Sequence, residues 1–199
     1  MPSRLIPVLA RRGLAATFVL PVLFMIAAPP AFAAAVTSPP TAPAMSAPAA
    51  SADVAGLDKL LALENEYVAA YQIAIDGGLL GQPALNVALL FQSQHKAHVD
   101  SLIAAVKERG GAPVVAQAAK VYAQGLNAST LKTPDAVLQM LAKLEHQGAD
   151  ATIAAIPGFK DPALAKLAGR LLADQSMYWT ALEAVMQKPL PTQALTFGQ

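Results

Sequence analysis

The sequence predicts an all-α domain, a four-helix bundle built from two helical hairpins joined by a long crossover connection. Three observations carry this. The chain is 55% hydrophobic but only 6% aromatic, and its apolar residues are mostly Ala and Leu, which favour helices over sheets. Apolar side chains recur at steps of three and four along four long segments. The breaks between those segments run short, long, short, which is the spacing of two hairpins and one crossover.

The segment before these helices reads as an export signal over residues 1–33. Arg4, Arg11 and Arg12 form a positive region, Leu14 to Ala28 is apolar, and Ala31-Phe32-Ala33 is a small-x-small cleavage site. Arg11-Arg12-Gly13-Leu14 resembles a twin-arginine signal, without the polar residue before the pair and the Phe two places after it. The apolar run falls short of the roughly 20 residues of a membrane span. The mature chain is therefore expected to be free of the membrane and periplasmic or secreted. Residues 34–52 are rich in Ala, Pro and Ser and carry no charge, the composition of a linker. Removing the three signal arginines from 14 basic residues leaves 11 against 13 acidic ones, a balance of −2. With no Lys/Arg run, nucleic acid is not an expected partner. Cysteine is absent, so any metal must be held by nitrogen and oxygen.

The domain itself is expected over residues 53–188. Asp53 is placed to cap the first helix, about Val54 to Asp76, whose seam is Leu57, Leu61, Glu64, Val68, Tyr71 and Ile75. Glu66 falls well round the helix, on the solvated side. Gly77-Gly78 stops this helix and Pro83 opens the second, which runs to about Arg109 with Val87, Phe91, His98, Leu102 and Ala105 inward and Gln94 or His95 completing the stripe. A short helix at about Val114 to Gln124 and a polar loop, Asn127 to Thr133, form the crossover. Thr133-Pro134 opens the third helix, with Leu138, Leu141, Glu145, Gly148, Thr152 and Ile156 on one face. Asp161-Pro162 opens the fourth, to about Gln187, with Leu164, Leu167 or Ala168, Leu171, Gln175, Tyr178, Leu182 and Val185 inward. Residues 189–199, with Pro189 and Pro191, form a tail.

Each seam is interrupted by a polar residue near its middle. A histidine on an apolar seam needs a partner, because an unpaired buried polar group costs on the order of 1 to 3 kcal/mol, and His98 is the residue expected to need one. Glu64 and Glu145 interrupt the first and third seams, and His95 and His98 stand about 60° apart on the second helix. These groups satisfy one another without an ion, His98 protonated between the two carboxylates and Tyr71 and Tyr178 donating. His146 follows Glu145 directly and points away from the seam. No nucleophile with its base, phosphate loop or dinucleotide fingerprint is present.

Over roughly Leu57 to Met186 the chain resembles the ferritin-like family, in the order and spacing of Glu64, Tyr71, His98 and Glu145. It is similar to a secreted bacterial branch of that family in His98-Val-Asp100-Ser-Leu102, in Gly111-Ala-Pro113 before Tyr122, and in Tyr178-Trp179. The family's paired-iron bundles carry a Glu on each of two helices and Glu-x-x-His on each of the other two. The resemblance implies that Glu64 and Glu145 are the single carboxylates and His98 the histidine of the first motif, in which His95 replaces the Glu. On the fourth helix Gln175-Ser-Met-Tyr178 replaces both ligands. The two missing carboxylates are those that bridge the ions in the family, and two divalent ions about 4 Å apart need bridging anions. What the resemblance leaves is Glu64, Glu145 and His98, with His95 if both histidines reach inward. The expectation is a degenerate site in which these bind one Fe, Mn or Zn ion at about 2.0 to 2.2 Å or none, with the outer faces left to a protein partner or a homo-oligomer, and no turnover. The alternative is a di-iron-type oxidoreductase or iron-handling protein, for which Asp174 would have to point into the bundle centre beside Glu64 and Glu145.

Overall fold

The computed structural model describes residues 47–198; the export signal, and the linker up to residue 46, lie outside the described residues. Five helices follow in order: α1 (Ala47–Asp76), α2 (Gln82–Glu108), α3 (Ala119–Gly125), α4 (Pro134–Ala155) and α5 (Pro162–Val185). No strand occurs among the described residues, and no described helix is long and apolar enough to cross a membrane. α1 packs along α2 and α4 along α5; α1 also touches α4, and α2 touches α5. This is the four-helix bundle of two hairpins that the periodicity predicts. The crossover carries α3 against α1, then a single 3₁₀ turn, Ala128–Thr130.

Local chemistry sets most helix ends. Gly78 and Gly110 take φ values of +64° and +72°, left-handed conformations that end α1 and α2. Thr133 Oγ1 accepts from the Ala136 N–H at 3.2 Å, and Asp161 Oδ1 from the Ala163 N–H at 2.8 Å, opening α4 and α5. The start of α1 differs from expectation: it lies at Ala47, not Val54, and Asp53 is not its cap. Asp53 is fully buried within the helix and accepts the Lys160 and Asp161 N–H groups at 2.6 and 3.1 Å. The alanine-rich segment before it favours helix, so the helix runs through. The carboxylate then serves the orphan N–H groups where the chain turns into α5. Val185, expected inward, is exposed at the end of α5.

The core falls into two apolar clusters with a polar layer between them. One joins Tyr71, Phe91, Leu138, Leu141, Tyr178 and Leu182; the other joins Leu57, Leu61, Leu102, Val106, Leu164 and Leu171. Between them the buried polar residues are Glu64, Gln92, His95, Glu145, Thr152 and Gln175. A cavity of about 700 Å³ lies elsewhere, among α1, α3 and α4, and Glu66, expected on the solvated side, is half-buried in its wall.

Candidate metal centre

Each of the four long helices delivers a buried polar side chain to the same level: Glu64 from α1, His95 from α2, Glu145 from α4 and Gln175 from α5, none more than 1% exposed. His95 stands between the two carboxylates, its Nδ1 2.7 Å from Glu64 Oε2 and its Nε2 3.0 Å from Glu145 Oε1. Tyr71 donates its hydroxyl to Glu145 Oε1 at 2.7 Å. Gln175 Nε2 donates to Glu64 Oε1 at 3.1 Å and is itself fixed by Thr152, whose hydroxyl donates to Gln175 Oε1 at 3.0 Å. His98 reaches in from the rim, Nδ1 3.3 Å from Glu64 Oε2 and Nε2 3.1 Å from Asp174 Oδ2.

All seven residues singled out in the sequence meet here, with two roles exchanged. The imidazole between the carboxylates is His95, not His98, because the buried stripe of α2 runs Ala88, Phe91, His95, Leu102 and Ala105. His98, one turn on, is 13% exposed. Tyr178 donates to neither carboxylate; its ring packs on Phe91 at 4.3 Å and on His95 at 5.2 Å. Asp174 touches the outer nitrogen of His98 with its side chain 43% exposed, and does not stand beside Glu64 and Glu145. His146 is partly exposed and pairs with Asp150 at 3.1 Å.

The electrostatics follow from this packing. Burial alone would disfavour charge on His95, but the hydrogen bonds to Glu145 and Glu64, with their charges, prevail and push its pKa from 6.5 up to about 9. Burial likewise works to raise the Glu64 pKa, and the hydrogen bonds and charges of His95 and His98 prevail and lower it. Tyr67, Tyr71 and Tyr178 ring His95 at 5.2, 5.3 and 5.2 Å. Burial first, then carboxylate charge, drives all three phenols well above their ordinary value, so they stay neutral.

Both nitrogens of His95 face carboxylate oxygens, yet a neutral imidazole has one N–H. The second nitrogen would set a lone pair against a lone pair, so the site calls for an imidazolium or for a cation in place of the second proton. Two further observations fit a metal ion. Glu64, His95 and His98 each offer a ligand atom, and these atoms lie within 4.8 Å of one another. Glu145, at the far nitrogen of His95, has its Oε2 buried without a hydrogen-bond partner, an arrangement that ordinarily has an explanation.

A family model of the ferritin-like domain matches residues 52–188. The chain belongs to the ferritin-like domain family. Among solved structures, a conserved hypothetical protein of Mycobacterium tuberculosis is similar to this ferritin-like chain at a TM-score of 0.60 and 21% identity, covering 68% of this chain and 97% of its own; the likeness is one of fold. No curated protein matches. Within this ferritin-like bundle, His95 and Gln175 lie in the central polar layer.

Sequence reasoning missed Tyr67, which is fully buried against His95, and the signal for it is Gly148. Glycine inside a helix costs about 1 kcal/mol relative to alanine, so its presence asks for a close approach. A β-carbon at Gly148 would lie 2.2 Å from the Tyr67 hydroxyl oxygen. Gly148→Ala is therefore expected to lower stability by about 1 to 3 kcal/mol despite its better helix propensity, read as a fall in the urea unfolding midpoint. An unchanged midpoint would mean that Tyr67 can move aside freely.

Proposed function

We propose that this is an exported ferritin-like domain that binds a single divalent ion, Fe, Mn or Zn, through Glu64, His95 and His98, with Glu145 holding the far nitrogen of His95, without turnover. The observation that carries this reading is that Glu64, His95 and His98 already hold ligand atoms within 4.8 Å of one another, while Glu145, its Oε2 buried without a partner, stands at the far nitrogen of His95. An ion bonding at about 2.0 to 2.2 Å sets its ligand atoms up to about 4.4 Å apart, a spacing comparable to that of this cluster. Bound there, the ion would supply a Lewis-acidic or, with iron or manganese, a redox-active centre.

The chain's own residues prepare the ligands. Gln175 engages Glu64 at Oε1 and leaves Oε2 to the histidines, while Tyr71 engages Glu145 at Oε1 and leaves Oε2 open. Asp174 accepts from His98 Nε2, which sets the tautomer whose Nδ1 lone pair faces inward. One ion is favoured over a pair because His95 and Gln175 stand where bridging carboxylates would be needed, and Gln175 turns an N–H toward Glu64. The export component rests on the arginine, apolar and small-residue pattern of residues 1–33. One observation favours a second reading, a metal-free scaffold: the bracketing of His95 suits a proton as well as an ion.

Metal analysis separates the two. The mature chain, loaded with Zn(II) or Co(II) and desalted at about pH 8, is expected to retain about one ion. His98→Ala and Glu145→Ala should lower that content, and Asp174→Ala should weaken binding by about ten- to a hundredfold. Failure of the intact chain to retain an ion leaves the protonated network standing. Two ions per chain would restore the paired-iron alternative, and equal content in all variants would remove these residues as the site.

A further inference from the structure

The C-terminal tail folds back on the bundle at the level of the metal centre. Phe197 packs its ring against His146 of α4 at 5.0 Å and Trp179 of α5 at 5.3 Å, and those two rings meet at 5.6 Å. Gly198 then donates its N–H to Asp150 Oδ1 at 2.7 Å. It does so at a φ of +79°, with Ile153 Cγ2 3.0 Å from where a β-carbon would sit. Glycine is required here both for the backbone conformation and for the close contact.

His146 and Trp179 directly follow Glu145 and Tyr178, and successive helical residues are turned by about 100°. The inward pair at the site and the outward pair under Phe197 therefore belong to the same turns of α4 and α5. Phe197 lies across the α4–α5 seam behind Glu145. The α2–α5 seam, by contrast, is open to solvent at Asp174.

We infer that the tail is a latch: by pinning α4 to α5 through His146, Trp179 and Asp150, it holds Glu145, and through it His95, in place and governs how fast a bound ion leaves. This rests on the single-ion reading above. Phe197 and Gly198 are docked by two aromatic contacts and one exposed hydrogen bond, so this end of the tail opens at lower cost than the bundle unfolds.

The experiment compares the intact mature chain with Phe197→Ala, Gly198→Val and, as a control in the same tail, Gln193→Ala. Two quantities are read: the fluorescence of Trp179, the single tryptophan of the chain, and the rate at which preloaded Zn(II) passes to an excess of chelator. Phe197→Ala and Gly198→Val are expected to shift Trp179 emission to the red and to speed release about tenfold, a factor equivalent to about 1.4 kcal/mol. Gln193→Ala should change neither. Unchanged release in a variant whose emission shows the tail undocked overturns the latch, and so does unchanged emission in both variants. Should the intact chain retain no ion, the single-ion reading falls by itself. The latch is then decided by amide hydrogen exchange along residues 142–149, faster in Phe197→Ala if it holds and equal if it does not.

Discussion

Replacing His95 with leucine is expected to destabilise the metal-free protein by about 3 to 5 kcal/mol at neutral pH, the usual cost of breaking a buried ion pair from one side. Leucine fills most of the space, so little of this loss comes from a cavity. It comes from leaving Glu64 and Glu145, each no more than 1% exposed, without the cation that separates them at 2.7 and 3.0 Å. The same replacement combined with Glu64→Gln and Glu145→Gln should recover most of the loss, because buried amides need hydrogen bonds but no counter-charge. Urea unfolding of the single and triple variants tests this. A single-variant loss under about 1 kcal/mol would show that the two carboxylates do not depend on His95.

The stability of the metal-free protein is expected to peak between about pH 4.5 and 6.5 and to fall on both sides. His95 has its pKa raised from 6.5 to about 9 in the fold. Its contribution is therefore complete below pH 6.5 and is lost as the pH rises through about 9, a total of roughly 3 kcal/mol. Glu64 has the opposite sign: its pKa is lowered from 4.5, so its contribution is present above that value and is lost as the pH falls. A saturating metal ion should reverse the alkaline limb. Ligation needs His95 without its second proton, so apparent affinity should rise about tenfold per pH unit up to about pH 9. Unfolding midpoints measured across this range with and without Zn(II) give both curves. A flat alkaline limb in the metal-free protein would mean that His95 is not protonated in the fold.

The bundle was legible in the sequence because helical periodicity is a local signal, and the four seam interruptions mark the buried polar layer. What the sequence did not assign was the division of labour within α2. His95 and His98 are about 60° apart, and a shift of that size in the seam decides which imidazole is enclosed; packing of Phe91 against Tyr178 and of Leu102 in the far cluster settles it. Asp53 was misread for a related reason. A carboxylate before an apolar-periodic segment has the local signature of a cap, and only the fold shows that its partners, Lys160 and Asp161, lie 107 and 108 residues away. The tail was read only as a terminus after two prolines, since nothing local pairs Phe197 with Trp179.

Glu64, His95 and His98 all come from the first hairpin, joined across 31 and 34 residues of sequence, whereas His95 meets Glu145 across 50 and Glu64 meets Gln175 across 111. Loop closure favours the nearer encounters. A chain made from its N-terminus thus has both imidazoles and one carboxylate assembled while α4 and α5 are still to come. The second hairpin arrives as a lid on a half-built chelate rather than as a co-founder of it.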